Sequence, residues 1–196
     1  MKFRGLFFFL PLLLVSAHAA DLMLKDDFSD PKLAQRRAMR GDWKFAGGVA
    51  SCTQDDEIHK KFKDHGPILF YDLAHTDATV RFSFKPEGAK SVVFTANGAD
   101  GHVFRFVVGG AGTSVRAFPP ESKDRASISV GQEKVALKSG EWVPVVVTLR
   151  GGKATVKIGA DFEKTYEHAS YARPKTNLSV GFSYGTLSVR DVVVTE

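Results

Sequence analysis

Residues 175–196, KTNLSVGFSYGTLSVRDVVVTE, alternate apolar and polar positions with a period of two, the pattern of strands that bury one face. Leu178, Val180, Phe182 and Tyr184 share one parity, and Leu187 and Val189 begin a second series. Tyr184-Gly185-Thr186 leaves room between them only for a hairpin turn. After Val189 the parity slips. Val192 and Val194 reach the face of Leu187 and Val189 only if one extra residue is inserted, which predicts a bulge at Arg190-Asp191 or an edge strand buried on both faces. A closing strand at 188–194 needs an early partner, and residues 22–28, with Leu22, Leu24 and Phe28 among polar neighbours, supply the candidate.

The same alternation recurs through the chain. In 78–85, Val80, Phe82 and Phe84 point one way and Thr79, Arg81, Ser83 and Lys85 the other. Further strands are predicted at 43–45, 49–50, 67–71, 91–96, 102–108, 113–118, 134–137, 142–149, 154–158 and 162–167. Asn97-Gly98, Gly109-Gly110, Gly112, Ser139-Gly140, Gly151-Gly152 and Gly159 mark turns between them. Residues 53–65 are dense in both charges and read as a long exposed loop. One helical pattern stands out: Ser29 or Asp30 as cap, Pro31 at the first position, and Leu33 to Met39 continuing for a turn or two. Many short strands without interleaved helices predict an all-β fold, a two-sheet antiparallel jelly-roll sandwich with one short helix near the N-terminus. No internal repeat suggests a propeller or solenoid.

The first twenty residues change the picture. A basic MKFRG start, an apolar LFFFLPLLLVS run and the small-x-small Ala17-His18-Ala19 form a cleavable signal peptide over 1–19, with the cut after Ala19 or Ala20. Residues 20–196 are then one exported domain, periplasmic or extracellular. The cut site has no cysteine for a lipid anchor, and no later segment is apolar for long enough to hold the cleaved chain in a membrane. Without Lys2 and Arg4, 25 basic residues face 22 acidic ones, a net charge of +3 that disfavours a nucleic-acid partner. Cys52, the single cysteine, cannot form an internal bridge and reads as a small buried apolar residue.

Three segments together resemble a known architecture: GDWKFAGGVASC, GEWVPVVVTLRGGKATVKIGADF and KTNLSVGFSYGTLSVRDVVV. They are similar to the opening, the Gly-Glu-Trp hairpin and the ending of concanavalin A-like lectin/glucanase domains, and among these most resemble the 3-keto-disaccharide hydrolase domain. The resemblance implies a concanavalin A-like jelly roll and, as one activity, hydrolysis of a 3-keto-disaccharide or related sugar. Its motifs are packing and turn motifs, which specify fold more than chemistry.

For the chemistry, a glycosidase needs two carboxyls flanking the scissile bond. Asp161, Glu163 and Glu167 alternate onto one face, but Lys164 between them and the preceding glycine turn read as a solvated edge, so no acid/base pair emerges. Arg81, Arg105 and Arg116 lie at polar parity on three strong strands. If neighbours, they line one sheet surface with planar donors for sugar hydroxyls or carboxylates, although a solvated strand face protected against edge pairing is the plainer account of the same residues. Phe82, Phe84, Phe104, Phe106 and Phe182 sit at core parity, whereas Trp142, Trp43, Tyr71 and Tyr184 lie near strand ends where a ring can stack on a sugar. The histidines are too scattered for zinc. Asp26, Asp27 and Asp191 meet if the first and last strands pair, as candidate oxygen ligands for Ca²⁺, against a plain reading as caps and salt bridges. The leading function is recognition of a carbohydrate ligand on the concave sheet through Arg81, Arg105, Arg116, Trp142 and Tyr184. The alternatives are the sugar hydrolase and a structural or protein-interaction module.

Overall fold

A computed structural model of the chain describes residues 20–120 and 126–196. The expected signal peptide at 1–19 lies outside them. The described residues form a two-sheet antiparallel sandwich, with strands numbered along the chain. One sheet has eight strands: β13 (Phe162–Glu167), β12 (Lys153–Ile158), β11 (Val143–Arg150), β6 (Ala78–Glu87), β15 (Thr186–Thr195), β4 (Val49–Thr53) and β3 (Lys44–Ala46) in spatial order, with β1 (Leu22–Asp26) also on β15. The other has seven: β10 (Ile128–Glu133), β9 (Gly112–Ala117), β8 (Gly101–Gly109), β7 (Ser91–Gly98), β14 (Lys175–Ser183), β5 (Ile68–His75) and β2 (Arg36–Met39). No described helix is long and apolar enough to cross a membrane.

The hairpin expected at Tyr184-Gly185-Thr186 does not form: β14 pairs with β5 and β7, β15 with β6, β4 and β1, so the turn carries the chain from one sheet to the other. Tyr184 and Gly185 make that tight crossing with φ values of 62° and 57°. A side chain at Gly185 would run into the backbone of Glu87 and Gly88. Along β15, Thr186–Val189 pairs with β4, and after a register shift Val192–Thr195 pairs with β1. The shift falls at the expected bulge, where Asp191 adopts φ 56°. The extra residue restores parity, and Leu187, Val189, Val192 and Val194 are all buried.

The core sits between the sheets. Phe82 on β6 stacks on Phe94 of β7 at 5.9 Å, and Phe94 on Phe106 of β8 at 5.6 Å. Burying such a ring contributes roughly 1.5–3 kcal/mol. Cys52 is buried, and loss of solvation pushes its thiol up to about 11. Trp43 and Tyr71, expected near exposed strand ends, are core residues, Trp43 meeting the Phe182 ring edge-on at 6.0 Å.

Three elements differ from the sequence expectation. Residues 36–39 form strand β2, not helix. Arg36 turns inward, where its guanidinium pairs with Asp26 of β1 at 2.7 Å and faces the Phe45 ring at 4.1 Å. Tyr71 donates to the same carboxylate at 3.0 Å, so the cluster joins the two sheets. Tertiary pairing outweighs the Pro31 helix signal. The helix lies instead inside the expected exposed loop, as α1 (Asp56–Lys61). Asp55 caps it by accepting from Ile58 N, and acids in its first turn and bases in its last suit the helix dipole. Similarly, the strand expected at 134–137 forms earlier, as β10, while Val135 and Leu137 pack half-buried against the core.

Candidate functional site

Strands that bury Leu69, Phe94, Phe104, Val115 and Val180 turn their alternate residues to the outer face of the seven-stranded sheet. Strand register lines these residues up. Phe70 of β5 is opposite Ser179 of β14, Ser179 opposite Thr95 of β7, Thr95 opposite Arg105 of β8, and Arg105 opposite Arg116 of β9. A neighbouring row runs Ile68, Gly181, Val93 and Val107. At Gly181 a side chain would press within 3.2 Å of Ile68 and of the Pro67 carbonyl, so glycine keeps this apolar floor low. A groove of about 660 Å³ lies over the rows as far as Arg105, with Arg116 and Val107 outside its lining, and is walled at one end by Arg40 and by the Asp64-His65-Gly66 turn that follows α1.

A third row holds Asn177, Asn97 and His102. Strict alternation puts His102 at the parity of Phe104 and Phe106, inside the core. The pairing of β7 with β8 steps from Ala96↔Phe104 to Asn97↔His102, leaving Val103 as an extra buried residue and bringing His102 out beside Asn97. This bulge makes a continuous hydrogen-bond chain. Arg105 Nη2 lies 2.6 Å from His102 Nε2, His102 Nδ1 lies 2.6 Å from Asn97 Oδ1, and Asn97 Nδ2 donates to Asn177 Oδ1 at 2.7 Å. A guanidinium can only donate, so the chain sets His102 as the neutral tautomer with hydrogen on Nδ1. Burial, then the positive charge of Arg105 and the nearby His65, push the imidazole down to about 4. Arg105 also donates from Nε to Thr95 Oγ1 at 3.2 Å and lies over the Phe118 ring at 5.4 Å. Burial, followed by Arg116, lowers its own pKa from the ordinary guanidinium range.

The residues expected at the site are divided between the two sheets. Arg105 and Arg116 are direct cross-strand neighbours, as the basic row requires. Arg81 is not with them. It is exposed on β6 of the other sheet, because consecutive strands β6 and β7 belong to different layers. Trp142 lies just before β11 of that other sheet, with its ring against Arg190 at 4.2 Å and Lys85 at 5.9 Å. Tyr184, exposed at the turn between β14 and β15, lies under Lys90 Nζ at 3.8 Å beside the groove-lining Ser183, but outside the groove lining.

The three aspartates do not form a Ca²⁺ site. Asp26 is buried against Arg36, Asp27 accepts from Ser29, and Asp191 lies 3.3 Å from Arg190 Nε. Among the described residues no three His, Cys, Asp or Glu side chains are placed to hold a metal ion. Glu163 and Glu167 pair across strands with Lys157 and Lys153 on a solvated edge, as expected. Among the described residues the groove lining contains one carboxylate, Asp64.

No protein-family model matches the sequence, and no curated protein is similar to it. The family resemblance to the 3-keto-disaccharide hydrolase domain therefore finds no support in these comparisons. The fold has solved counterparts. The CBM2 module of the evolved Dit of Lactobacillus casei BL23 phage J-1 superposes with TM-score 0.67 at 10% identity, over 89% of this chain and 95% of that one. Carbohydrate-binding module CBM66 from Bacillus subtilis gives 0.60 at 10% identity, over 83% and 96%. A sialidase gives 0.65 at 9% identity, over 90% of this chain but 19% of its own. At these identities the likeness is one of fold.

Proposed function

We propose that this domain binds a carbohydrate in the groove on the outer face of its seven-stranded sheet. The observation that carries the reading is the pairing of an apolar floor, Ile68, Phe70 and Val93, with the fixed polar chain Arg105–His102–Asn97–Asn177. Sugar rings present apolar faces and rims of hydroxyls, and a prearranged polar chain spares the ordering of those side chains on binding. The fold likeness to proteins described as carbohydrate-binding modules agrees with this use. Among the described residues the groove lining offers a single carboxyl where a two-carboxylate hydrolysis needs two, which favours the binding reading. The binding domain acts outside the cytoplasm, after removal of residues 1–19.

Isothermal titration against a panel of soluble polysaccharides tests the reading. Binding to at least one glycan, weakened about tenfold by Asn97→Ala with the far-ultraviolet spectrum unchanged, is expected. Absence of binding to every glycan, or an Asn97→Ala variant that binds as the parent does, overturns it. N-terminal sequencing of the secreted chain tests export, with Ala20 or Asp21 as the expected first residue.

A further inference from the structure

Four described arginines have a carboxylate partner: Arg36 with Asp26, Arg37 with Asp72, Arg173 with Asp100, and Arg190 with Asp191. Arg105 and Arg116 have none among the described residues, although they face each other across β8 and β9 and are both half-buried. Directly opposed like charges repel and destabilise a sheet. His102 cannot relieve the repulsion, since its Nε2 accepts from Arg105 as a neutral ring. Arg40, at the other end of the groove, also has no carboxylate partner among the described residues, and Asp64 lies 3.6 Å from His59 Nδ1.

The Arg105 guanidinium is also held in place. Thr95 takes its Nε–H, His102 takes one Nη2–H, and the plane lies over Phe118, which leaves Nη1 and the second Nη2–H without a partner among the described residues. An oriented, half-desolvated guanidinium with free donors, beside a second positive charge, suits an anion with two coplanar or tripod oxygens. Such a group would change the Arg105–Arg116 repulsion into two attractions. Neutral sugars, which offer only hydroxyls, leave the repulsion in place.

We infer that the groove selects an anionic saccharide, seating a carboxylate or sulfate ester of the sugar on Arg105 beside Arg116. This rests on the carbohydrate-binding reading and adds charge selection to it. Direct pairing with a fixed guanidinium gives an affinity that falls with salt, and the orienting role of Thr95 and His102 makes Arg105 the more sensitive position.

The test is titration of the full domain with oligogalacturonate, with the same oligomer fully methyl-esterified, and with a sulfated polysaccharide, at low salt and at about 0.5 M NaCl. The expected result is an anionic oligomer bound at least about tenfold more tightly than the ester, with the margin shrinking in salt. Arg105→Gln and, separately, Arg116→Gln remove that margin while their melting curves stay near the parent's. Arg81→Gln, on the opposite sheet, keeps it. Whether oligogalacturonate or the sulfated polymer binds more tightly tells which anion is selected. Binding of the ester as tight as that of the acid overturns charge selection and leaves sugar binding standing, and so does an anionic preference kept by both glutamine variants. Binding to none of these three at either salt also overturns charge selection, while the sugar-binding reading then stands or falls on the wider glycan panel.

Discussion

Arg105 Nη2 and His102 Nε2 lie 2.6 Å apart, a cation donating to an imidazole that stays neutral in order to accept. Desolvation by burial is the largest influence on this ring and Arg105 the next. His102 should therefore resist protonation until about pH 4, with its Nδ1 carrying the hydrogen. Nitrogen-detected NMR checks both the tautomer and the titration. Arg105→Ala should raise the midpoint toward the ordinary value of 6.5, and an unchanged midpoint would show that Arg105 does not act on the ring. The sign for stability follows. The unfolded ring takes a proton near 6.5 and the folded ring near 4, so the contribution of neutral His102 is complete above pH 6.5 and declines as pH falls toward 4.

The Asp26–Arg36 pair is buried on both sides and linked to Tyr71. Arg36→Met strands the Asp26 carboxylate and should lower stability by about 3–5 kcal/mol, read as a drop in the urea midpoint. Tyr71→Phe, which removes one of several donors to that carboxylate, should cost about 1 kcal/mol. Asp26→Leu combined with Arg36→Met should recover much of the single-variant loss, because no unpaired charge then remains inside. A double variant as unstable as Arg36→Met alone contradicts this account.

Lys175 is buried, with Nζ donating to the carbonyls of Thr76 and Tyr171 at 2.5 Å each. Burial lowers its pKa from 10.5 to about 8. Between those values the unfolded chain holds a proton that the folded chain has released, so stability from this group rises as pH climbs from 8 toward 10.5. Cys52 acts oppositely above pH 9, where the unfolded thiol ionises before the buried one. Urea midpoints at pH 7, 8 and 9 should rise across the last step in the parent and rise less in Lys175→Met. Equal slopes in the two proteins would rule out a depressed lysine.

The alternation of Leu178, Val180 and Phe182, and the slip in phase before Val192, were enough to place the last two strands, the bulge and the pairing with Leu22–Asp26, but not to show that the turn at Tyr184-Gly185 crosses between sheets instead of closing a hairpin. The cationic pair was legible because Arg105 and Arg116 each sit between core residues on well-marked strands. The charged run around α1 also held a readable signal, acids before bases behind Asp55, which its lack of apolar residues obscured. His102 was not legible, since one buried extra residue at Val103 reverses its face.

Period-two patterning by itself determined which residues of each strand meet the core, because burying one face leaves a local trace at every second position. It carried no record of layer, since a strand's two faces look the same whichever sheet it joins. The assignment of Arg81 to one sheet and Arg105 to the other, and the inward turn of Arg36 on a strand paired with β5, were decided by contacts between segments far apart in the chain. Those contacts form only when the two layers close on each other.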